Sequence, residues 1–268
     1  MKRLLPIILL FVGFSVSAQQ SLPAGQNYYD DGPTGIVYNR EMTFDARLLT
    51  PRSFGIGVTV GQIRTYYQTR YWAFSFEELR HPMEDRQPAN QLISVRVARP
   101  FIFGKKNNVY ILKAGWGGKR YLSEKAKHRG LAIGYSYQVG PTLAILKPYY
   151  LGLYRSVDPG TDRFFVSDER FSATNATDFL DIGLIAGASS FSEGLGEVSV
   201  MPGLHARAAV HFDWGAFDEI VKAMEAGISL DVFGRDVPIM AEHPSVPHLE
   251  NSPVFINLFL NLQLGKRW

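Results

Sequence analysis

The sequence predicts an all-β protein, a single antiparallel barrel whose strands cross a membrane. Apolar and polar residues alternate with a period of two in many segments, and this period is typical of β-strands. The polar positions are rich in glycine, alanine and serine with charges of both signs, as expected for a crowded lumen. Aromatic residues at predicted strand ends suit the interfacial girdles of such a barrel; they are Trp116, Tyr137, Tyr154, Trp214 and Trp268.

A soluble β-sandwich or a lipocalin-like barrel is the alternative, because both folds also alternate apolar with polar residues. Their apolar side chains face inwards, whereas a membrane barrel turns them towards lipid. The last segment favours the membrane barrel. Residues Ile256–Gly265 alternate aliphatic side chains with amides, one glycine and one phenylalanine, and Trp268 follows in the phase of the leucines. The last strand of a sandwich more often frays or continues into a polar tail.

Composition excludes several other classes of protein. Apolar residues make up 46% of the 268 residues, which is too large a share for a disordered chain. The 28 basic residues nearly balance the 25 acidic ones, which argues against nucleic-acid binding, since that function usually requires a basic excess. The chain has no cysteine, so it has no disulfide, no thiolate metal site and no cysteine nucleophile.

Residues 1–18 are predicted to be a cleaved signal peptide. Lys2 and Arg3 precede the apolar run Leu4–Val16, and small residues lead to a cleavage site after Ala18. An N-terminal membrane anchor is the alternative, but a spanning helix needs about 20 apolar residues and this run is shorter. Residues 19–268 are then predicted to form one outer-membrane barrel domain.

The alternation predicts about 12 strands, with 10 as the alternative. The clearest alternating segments are 38–48, 93–97, 131–139, 143–154, 180–186, 204–214, 224–232 and 256–264. The count is 12 if the chain breaks near Gln68 and near Met201–Gly203. It is 10 if residues 54–76 and 196–214 each form one long strand. Twelve is favoured because a strand needs only about 9–11 residues to cross a membrane.

Two kinds of connection are predicted. Tight turns are expected where turn-forming residues cluster, at Thr50–Ser53, Gly104–Asn108, Gly140–Pro141 and Gly215–Glu219. Longer polar connections are expected at 79–91, 119–129, 155–178 and 235–252. Outer-membrane barrels place short turns in the periplasm and long loops outside. Pro148 is interpreted as a bulge or a barrel rim, or, as the less favoured alternative, as a break that exposes backbone to a partner.

Charged residues on the predicted inward register form a balanced set. The set consists of Glu41, Asp45, Arg47, Arg96, Lys113, Glu197, Arg207, Asp213, Glu225 and Asp231. Such residues can neutralise one another, whereas a selective pore favours one sign of charge. A barrel of 10–12 strands is only modestly wider than the eight-stranded barrels that side chains fill. We therefore expect a filled lumen rather than an open channel.

Neither of two candidate groups of residues forms a persuasive active or metal site. A conceivable hydrolase set consists of Asp181, Ser199, His205 and His211. Its two histidines lie six residues apart on one strand, about 20 Å, and cannot act together. Imidazole and carboxylate ligands for a divalent ion occur together at Glu242, His243, His248 and Glu250. These four belong to a proline-rich loop and match no established ligand spacing, so we predict no catalytic residue, no metal and no cofactor.

Four short segments carry a family resemblance: SAQQ at 17–20, Phe103–Asn108, Lys147–Leu151 and Asn261–Trp268. With them the chain resembles the uncharacterised outer-membrane β-barrel proteins of Bacteroidota. The resemblance implies a barrel in the bacterial outer membrane, surrounded by outer-membrane lipid, and it implies no reaction. Related barrels occur as subunits of envelope machines for protein export or barrel assembly. The expected function is therefore that of a structural or accessory subunit. A narrow channel for small polar solutes is the alternative, and a membrane-embedded lipid hydrolase comes third.

The expected partners follow from the same resemblance. Barrel-assembly machinery would recognise the C-terminal strand that ends in Trp268. Contact surfaces for other subunits of a complex are expected at Tyr66–Tyr67, at Tyr149–Tyr150 and in the loop 155–178, which contains Phe164, Phe165 and Phe171. No nucleic acid is expected as a partner.

Overall fold

The computed structural model describes most of the chain from residue 38 onwards. The described residues are 38–50, 53–65, 67–88, 99–122, 131–156, 164–214, 216, 218–244 and 250–268. The predicted signal peptide and the predicted strand 93–97 lie outside the described residues, as does Arg96 of the predicted lumen set.

Eight strands of the described chain form a closed antiparallel barrel. They are β1 (Arg40–Leu49), β2 (Ser53–Thr65), β3 (Gln68–Leu79), β6 (Asn107–Tyr121), β7 (Ala132–Pro148), β11 (Ser199–Asp213), β12 (Ile220–Phe233) and β13 (Val254–Arg267). Each strand pairs with the next along the chain, and β13 pairs with β1 to close the barrel. The alternating sequence forms strands here because alternate side chains of a strand point to opposite faces of the sheet.

The predicted count of about 12 strands, or 10, is wrong, because the barrel has eight. The expected break near Met201–Gly203 does not occur, since β11 pairs with β7 without interruption from Ser199 to Asp213. Gly140–Pro141 is not a turn and lies inside β7. The expected break near Gln68 is confirmed, because β2 ends at Thr65 and β3 begins at Gln68.

Two predicted barrel strands belong to other structures. In the segment 143–154, β7 ends at Pro148 and β8 (Tyr150–Ser156) enters a separate three-stranded sheet with β9 (Phe164–Arg170) and β10 (Ile185–Ala188). The segment 180–186 holds a 3-10 turn and the start of β10. Pro148 therefore marks the rim of the barrel, which confirms the favoured interpretation of this proline.

The strands are staggered by ten residues around the barrel. Starting at Arg40, the cross-strand partners are Gln62, Arg70, Gly118, Tyr137, Ala208, Ile228 and Leu258. Leu258 accepts a hydrogen bond from the backbone N–H of Thr50, which lies ten residues beyond Arg40 on β1. Such a stagger tilts the strands, and at eight strands the interior is just wide enough for side chains to fill.

The barrel is apolar outside and polar inside. Outward side chains with large exposed apolar surfaces include Phe44, Leu48, Ile56, Trp72, Phe74, Leu112, Ile133, Val139, Leu204, Ile228, Ile256, Leu258, Leu262 and Leu264. Charged residues from the same strands are buried in the lumen. This arrangement is the reverse of a soluble barrel and confirms the predicted inside-out pattern. Among the described residues, no helix is long and apolar enough to cross a membrane.

The two ends of the barrel differ. At one end, which we call the terminal end, Arg40 donates a backbone hydrogen bond to Trp268. The connections 66–67, 122–131 and 214–219 also lie at this end. At the opposite end, the loop end, β2 begins four residues after the end of β1, whereas the long connections 80–106, 149–198 and 234–253 separate other barrel strands by 20 residues or more. The long connections contain β4 (Arg86–Gln87), β5 (Phe101–Ile102), β8 to β10 and the helix α1 (Ala176–Phe179).

Outward tryptophans lie in the half of each strand nearer to the terminal end. Trp72 on β3 is the direct cross-strand partner of Trp116 on β6, and Trp214 and Trp268 follow the last residues of β11 and β13. Tryptophans at one level are typical of a membrane interface. The prediction that Tyr154 belongs to an interfacial girdle is wrong, because Tyr154 is buried in β8 outside the barrel.

Candidate functional site

The lumen near the terminal end holds a cluster of ion pairs, which we call the terminal cluster. Glu41 forms ion pairs with Lys119 and with Arg267, whose Nε lies 3.1 Å from Glu41 Oε2. Arg267 also donates to Asp213 Oδ2 at 2.7 Å, and the Tyr121 hydroxyl donates to the same oxygen at 2.6 Å. The residues come from β1, β6, β11 and β13, so the cluster connects strands across the barrel.

His211 and Glu225 extend this cluster towards the middle of the lumen. His211 Nδ1 lies 3.2 Å from Glu225 Oε1, and Asn261 Nδ2 donates to Glu225 Oε2 at 3.0 Å. All three residues are almost completely buried. The carboxylate of Glu225 is therefore held by side chains from the two neighbouring strands.

A second cluster of charges, the inner cluster, lies nearer to the loop end. Lys113 Nζ is 2.8 Å from Glu77 Oε2 and 2.8 Å from Asp231 Oδ1, and Arg47 forms a further ion pair with Glu77. These side chains are all 5% exposed or less. The inner cluster joins β1, β3, β6 and β12.

An aromatic ring separates two arginines between the clusters. The Phe259 ring centroid lies 5.6 Å from Arg47 Cζ and 5.4 Å from Arg207 Cζ. Arg207 also donates to Gln138 Oε1 at 2.6 Å, and Gln138 Nε2 lies 3.0 Å from His205 Nε2. A cation–π contact with Phe259 and a hydrogen bond to Gln138 thus hold the guanidinium of Arg207.

Glycines on the lumen side of β2 and β6 make room for these large side chains. A Cβ at Gly115 would lie 2.2 Å from Gln138 Nε2, and a Cβ at Gly55 would lie 2.6 Å from Glu77 Cγ. The glycines let Gln138 and Glu77 lie across the neighbouring strand towards their partners. The lumen is therefore packed by matching large residues with small ones, as in a protein core.

An apolar layer closes the loop end of the lumen. It combines inward residues of the strand ends with three residues of the connection 234–253: Leu79, Val109, Ile111, Ala144, Leu146, Met201, Phe233, Phe255, Val237, Ile239 and Met240. Backbone hydrogen bonds fix this connection, since Ala241 donates to Gly104 O at 2.7 Å and Lys106 donates to Ile239 O at 2.8 Å. Asn251 Oδ1 accepts from both Ile239 and Met240 at 2.9 Å.

The lumen cannot serve as a wide water-filled passage in this arrangement. An open channel would leave its lining exposed to water, whereas the charged residues of both clusters and the apolar layer are buried. Among the described residues, the buried lumen acids are Glu41, Asp45, Glu77, Asp213, Glu225 and Asp231, and the buried lumen bases are Arg47, Lys113, Lys119, Arg207 and Arg267. The expectation of a self-neutralising, filled lumen is confirmed.

Most of the predicted lumen residues are placed correctly. Glu41, Asp45, Arg47, Lys113, Arg207, Asp213, Glu225 and Asp231 are all buried inside the barrel. Glu197 was predicted wrongly, because it lies in a 3-10 turn outside the barrel and pairs with Arg170 at 2.6 Å. The sequence reasoning missed Glu77, Lys119 and Arg267.

The structure does not bring the conceivable hydrolase set together. His205 and His211 lie in the lumen, whereas Asp181 caps a 3-10 turn outside it by accepting from Gly183 N at 2.9 Å. Ser199 is exposed at the start of β11. Ser199 is therefore separated from both lumen histidines and lacks the contact between nucleophile and base that nucleophilic catalysis requires.

The conceivable metal-binding loop is described only in part. His248 lies outside the described residues, and Glu242 Oε1 accepts from Asn251 N at 3.0 Å and from Asn251 Nδ2 at 2.7 Å. Within the described ranges, no three histidine, aspartate or glutamate side chains are grouped so that they could hold a metal ion.

Described residues of the connections 80–106 and 149–198 pack together at the loop end and form what we call the external subdomain. Its apolar core consists of Phe101, Leu151, Leu153, Phe179 and Ile185, and Phe171 packs edge-on against Phe179 at 5.6 Å between ring centroids. Ala188 donates to Arg99 O at 3.1 Å, and Ile102 N donates to the Tyr149 hydroxyl at 3.1 Å. These contacts join the connection 149–198 to the connection 80–106.

Arg155 holds β8, β9 and α1 together. Its guanidinium donates to Glu169 Oε1 at 2.8 Å and to Glu169 Oε2 at 2.7 Å, and it also pairs with Asp178. The hydrogen bonds from Arg155 lower the pKa of Glu169 to about 2. A bidentate arginine–carboxylate pair fixes orientation as well as distance, so this contact orders the hairpin β8–β9.

The predicted contact surfaces lie in different places. Tyr149 and Phe171 are partly buried in the external subdomain, whereas Phe164 and Phe165 on β9 are exposed. Tyr67 lies at the terminal end, away from the others, and Tyr66 lies outside the described residues.

Comparison with known proteins shows similarity at the level of structure alone. No protein-family model matches the chain, and no curated protein matches its sequence. The structure of Ail, the attachment invasion locus protein of Yersinia pestis, matches with a TM-score of 0.38 and 8% identity over 85% of this chain and 96% of Ail. Ail in complex with the heparin analogue sucrose octasulfate gives the same values. Neisserial surface protein A matches with a TM-score of 0.36 and 8% identity over 85% of this chain and 94% of that protein. Similarity of this degree does not extend to function.

Proposed function

We propose that the protein is a bacterial outer-membrane barrel that acts as a structural or accessory subunit of an envelope protein complex. In this proposal the barrel is the membrane anchor and the external subdomain is the part that contacts other subunits. The observation that carries the proposal is the contrast between a lumen filled by ion pairs and two long connections, 80–106 and 149–198, that share an apolar core at one end.

The apolar outer face supports the membrane location. Outward leucines, isoleucines and phenylalanines surround the barrel and are exposed to solvent in the isolated chain. Soluble monomers rarely expose an apolar surface of this extent, because it promotes aggregation. Lipid contact around the whole circumference removes that surface from water. The predicted signal peptide supports export, and outer-membrane barrels typically have their longest connections on one side, as at the loop end here.

The two other candidate functions have less support. A channel for small polar solutes requires an accessible lumen, and the lumen lining is buried. A lipid hydrolase requires a nucleophile next to a base, and the candidate serine and histidines lie apart. We propose that the protein is not an enzyme.

Co-purification tests the proposed role. The tagged protein is extracted from its native membrane in a mild detergent, and the proteins that co-purify in stoichiometric amount are identified. Arg155→Leu removes the contact between β8, β9 and α1 without touching the barrel. We expect the wild-type protein to retain a subunit that Arg155→Leu loses, while both migrate as heat-modifiable, folded barrels.

Two results would contradict the proposal. One is a wild-type protein that runs alone at monomer size in several detergents. The other is a variant that keeps its partner although hydrogen exchange shows β8 and β9 to be disordered. A stable, porin-like current of the purified protein in planar bilayers would move the function to the channel.

A further inference from the structure

Residues 191–198, which we call the flank segment, lie against the outward side of the barrel wall at the loop end. The alternation of β7 places Leu143, Ile145 and Lys147 on the outward face, and the first of them is exposed. Lys147 is only 4% exposed, and the Phe191 ring lies over its ammonium at 4.7 Å. Phe191 of the flank segment therefore covers Lys147, whose side chain points away from the lumen in the register of β7.

A glycine allows this close approach. Gly194 has a φ of +79°, in the left-handed region that favours glycine. A Cβ at this position would lie 2.9 Å from the Tyr150 ring and 3.1 Å from the backbone oxygen of Pro148. Glu197 accepts from the Tyr150 hydroxyl at 3.0 Å and pairs with Arg170. The flank segment is thus fixed to the rim of the barrel on its outer side.

The flank segment presents apolar side chains that continue the outer face of the barrel. Phe191 is 61% exposed and Leu195 is 53% exposed, although both belong to a connection rather than to a strand. Val198 and Val200 follow, and they lead to Leu204 on the outward face of β11, which is 66% exposed. The exposed apolar surface therefore runs along the outward register of β11 as far as Val198. Beyond the strand, Leu195 and Phe191 are apolar and exposed, and the exposed Glu193 and Glu197 lie beside them in the chain.

We propose that the flank segment inserts Phe191 and Leu195 into the acyl chains of the outer leaflet and so fixes the external subdomain to the membrane surface. This inference rests on the proposed membrane location of the barrel. Continuity with the lipid-facing surface favours acyl chains over a protein as the occupant. Lys147 supports the depth, because lysine side chains near a membrane bury their stems along apolar surface and direct the ammonium to the headgroup region.

Site-directed spin labelling tests the inference, because the sequence has no cysteine that would compete for the label. Phe191→Cys and Leu195→Cys are labelled with a nitroxide in phosphatidylcholine vesicles. Accessibility to oxygen, which concentrates in hydrocarbon, is compared with accessibility to a water-soluble nickel chelate. Leu204→Cys is the control for the lipid-facing barrel surface.

Phe165→Cys is the matched control, an exposed phenylalanine of the external subdomain whose strand partner lies farther along β8 from the rim of the barrel. Phe165 is 51% exposed and pairs with Arg155, five residues along β8 from Tyr150. This separation is roughly 16 Å along the strand. We expect the labels at 191 and 195 to give oxygen-to-nickel ratios close to that of Leu204→Cys and severalfold above that of Phe165→Cys.

The outcomes separate this inference from the proposed function. If Leu204→Cys reports lipid while both flank labels match Phe165→Cys, the inference is wrong and the membrane location stands. If the flank labels are shielded from both reagents, a second copy of the chain covers them and the inference is also wrong. If Leu204→Cys itself reports water, the proposed membrane location fails.

Discussion

Replacing Lys113 by methionine should destabilise the barrel far more than the same change at an exposed lysine. Lys113 Nζ lies between Glu77 and Asp231, and the three side chains are 4%, 2% and 1% exposed. Methionine is similar in length, so Lys113→Met removes the ammonium with little change of packing. Two carboxylates then remain buried without the cation that joined them.

The loss of unfolding free energy depends on which partners Glu77 and Asp231 retain in Lys113→Met. Glu77 keeps its ion pair with Arg47, whereas Asp231 contacts Lys113 through both oxygens, at 2.8 and 2.9 Å. Removing one partner of a buried ion pair costs about 3–5 kcal/mol of unfolding free energy. Because about 1.4 kcal/mol changes an equilibrium constant tenfold, the folding equilibrium constant should fall by roughly two to three and a half powers of ten.

Urea unfolding in phosphatidylcholine vesicles, followed by tryptophan emission and by heat-modifiable migration, measures this loss. Lys266→Met is the control, because Lys266 pairs with Glu219 at 2.9 Å while the two side chains are 65% and 56% exposed. Such an exposed pair contributes about 0–1 kcal/mol. The double variant Lys113→Met with Asp231→Asn should regain part of the stability. Equal unfolding midpoints for Lys113→Met and Lys266→Met would refute the reasoning.

Three further predictions follow for the outer face of the barrel, for its wall and for the external subdomain, the first two measured by urea unfolding and the third by hydrogen exchange. Leu260→Arg places a charge on the lipid-facing side of β13 and should lower the unfolding free energy by about 2–4 kcal/mol, well beyond the loss for Leu260→Ala. Similar unfolding midpoints for the two variants would contradict the lipid contact. Gly117→Ala should lower the unfolding free energy by about 1–3 kcal/mol, because the new Cβ would lie 2.1 Å from the backbone oxygen of Tyr137. An unchanged unfolding midpoint would show that the backbone of β6 or β7 can shift to accommodate the methyl group. Because hydrogen bonds from Arg155 lower the pKa of Glu169 to about 2, their contribution is complete above the ordinary value of 4.5 and is lost as the pH falls through about 2. Hydrogen exchange of β8 and β9, corrected for the intrinsic pH dependence, should therefore rise over this window in the wild type and not in Arg155→Leu.

The inside-out barrel could be predicted because the direction of a side chain in a strand is a local property. Asp45 and Arg47, for example, differ in phase from the exposed Phe44 and Leu48, and this difference alone places them in the lumen. No knowledge of the neighbouring strands is required for such an assignment.

Two of the missed lumen residues carried a signal in the sequence. Arg267 shares the polar phase of Asn261 and Gln263, so extending the alternation by two residues would have found it. Lys119 continues the phase of Lys113, but it follows Gly117 and Gly118, and two adjacent glycines suggest the start of a loop.

The strand count could not be derived in the same way, because membership of a sheet is not local. Strand β8 continues the alternating segment that begins in β7, yet its partners are β9 and β10 rather than a barrel strand. Proline usually interrupts a strand, but Pro202 lies within β11, and the residues before and after it, Met201 and Gly203, both pair with β7. Only the identity of the hydrogen-bonded neighbour separates these cases.

The pairing of β1 with β13 has a consequence for how the chain reaches its native state. Arg267 Nε and Glu41 Oε2 belong to residues 226 positions apart, and the backbone of Arg40 is bonded to Trp268. Contacts of such sequence separation form slowly, because the entropy of closing the loop is lost before the contact stabilises anything. Until β13 pairs with it, β1 presents an unpaired strand edge that can template aggregation with other chains. A truncation before β13 leaves that edge open permanently.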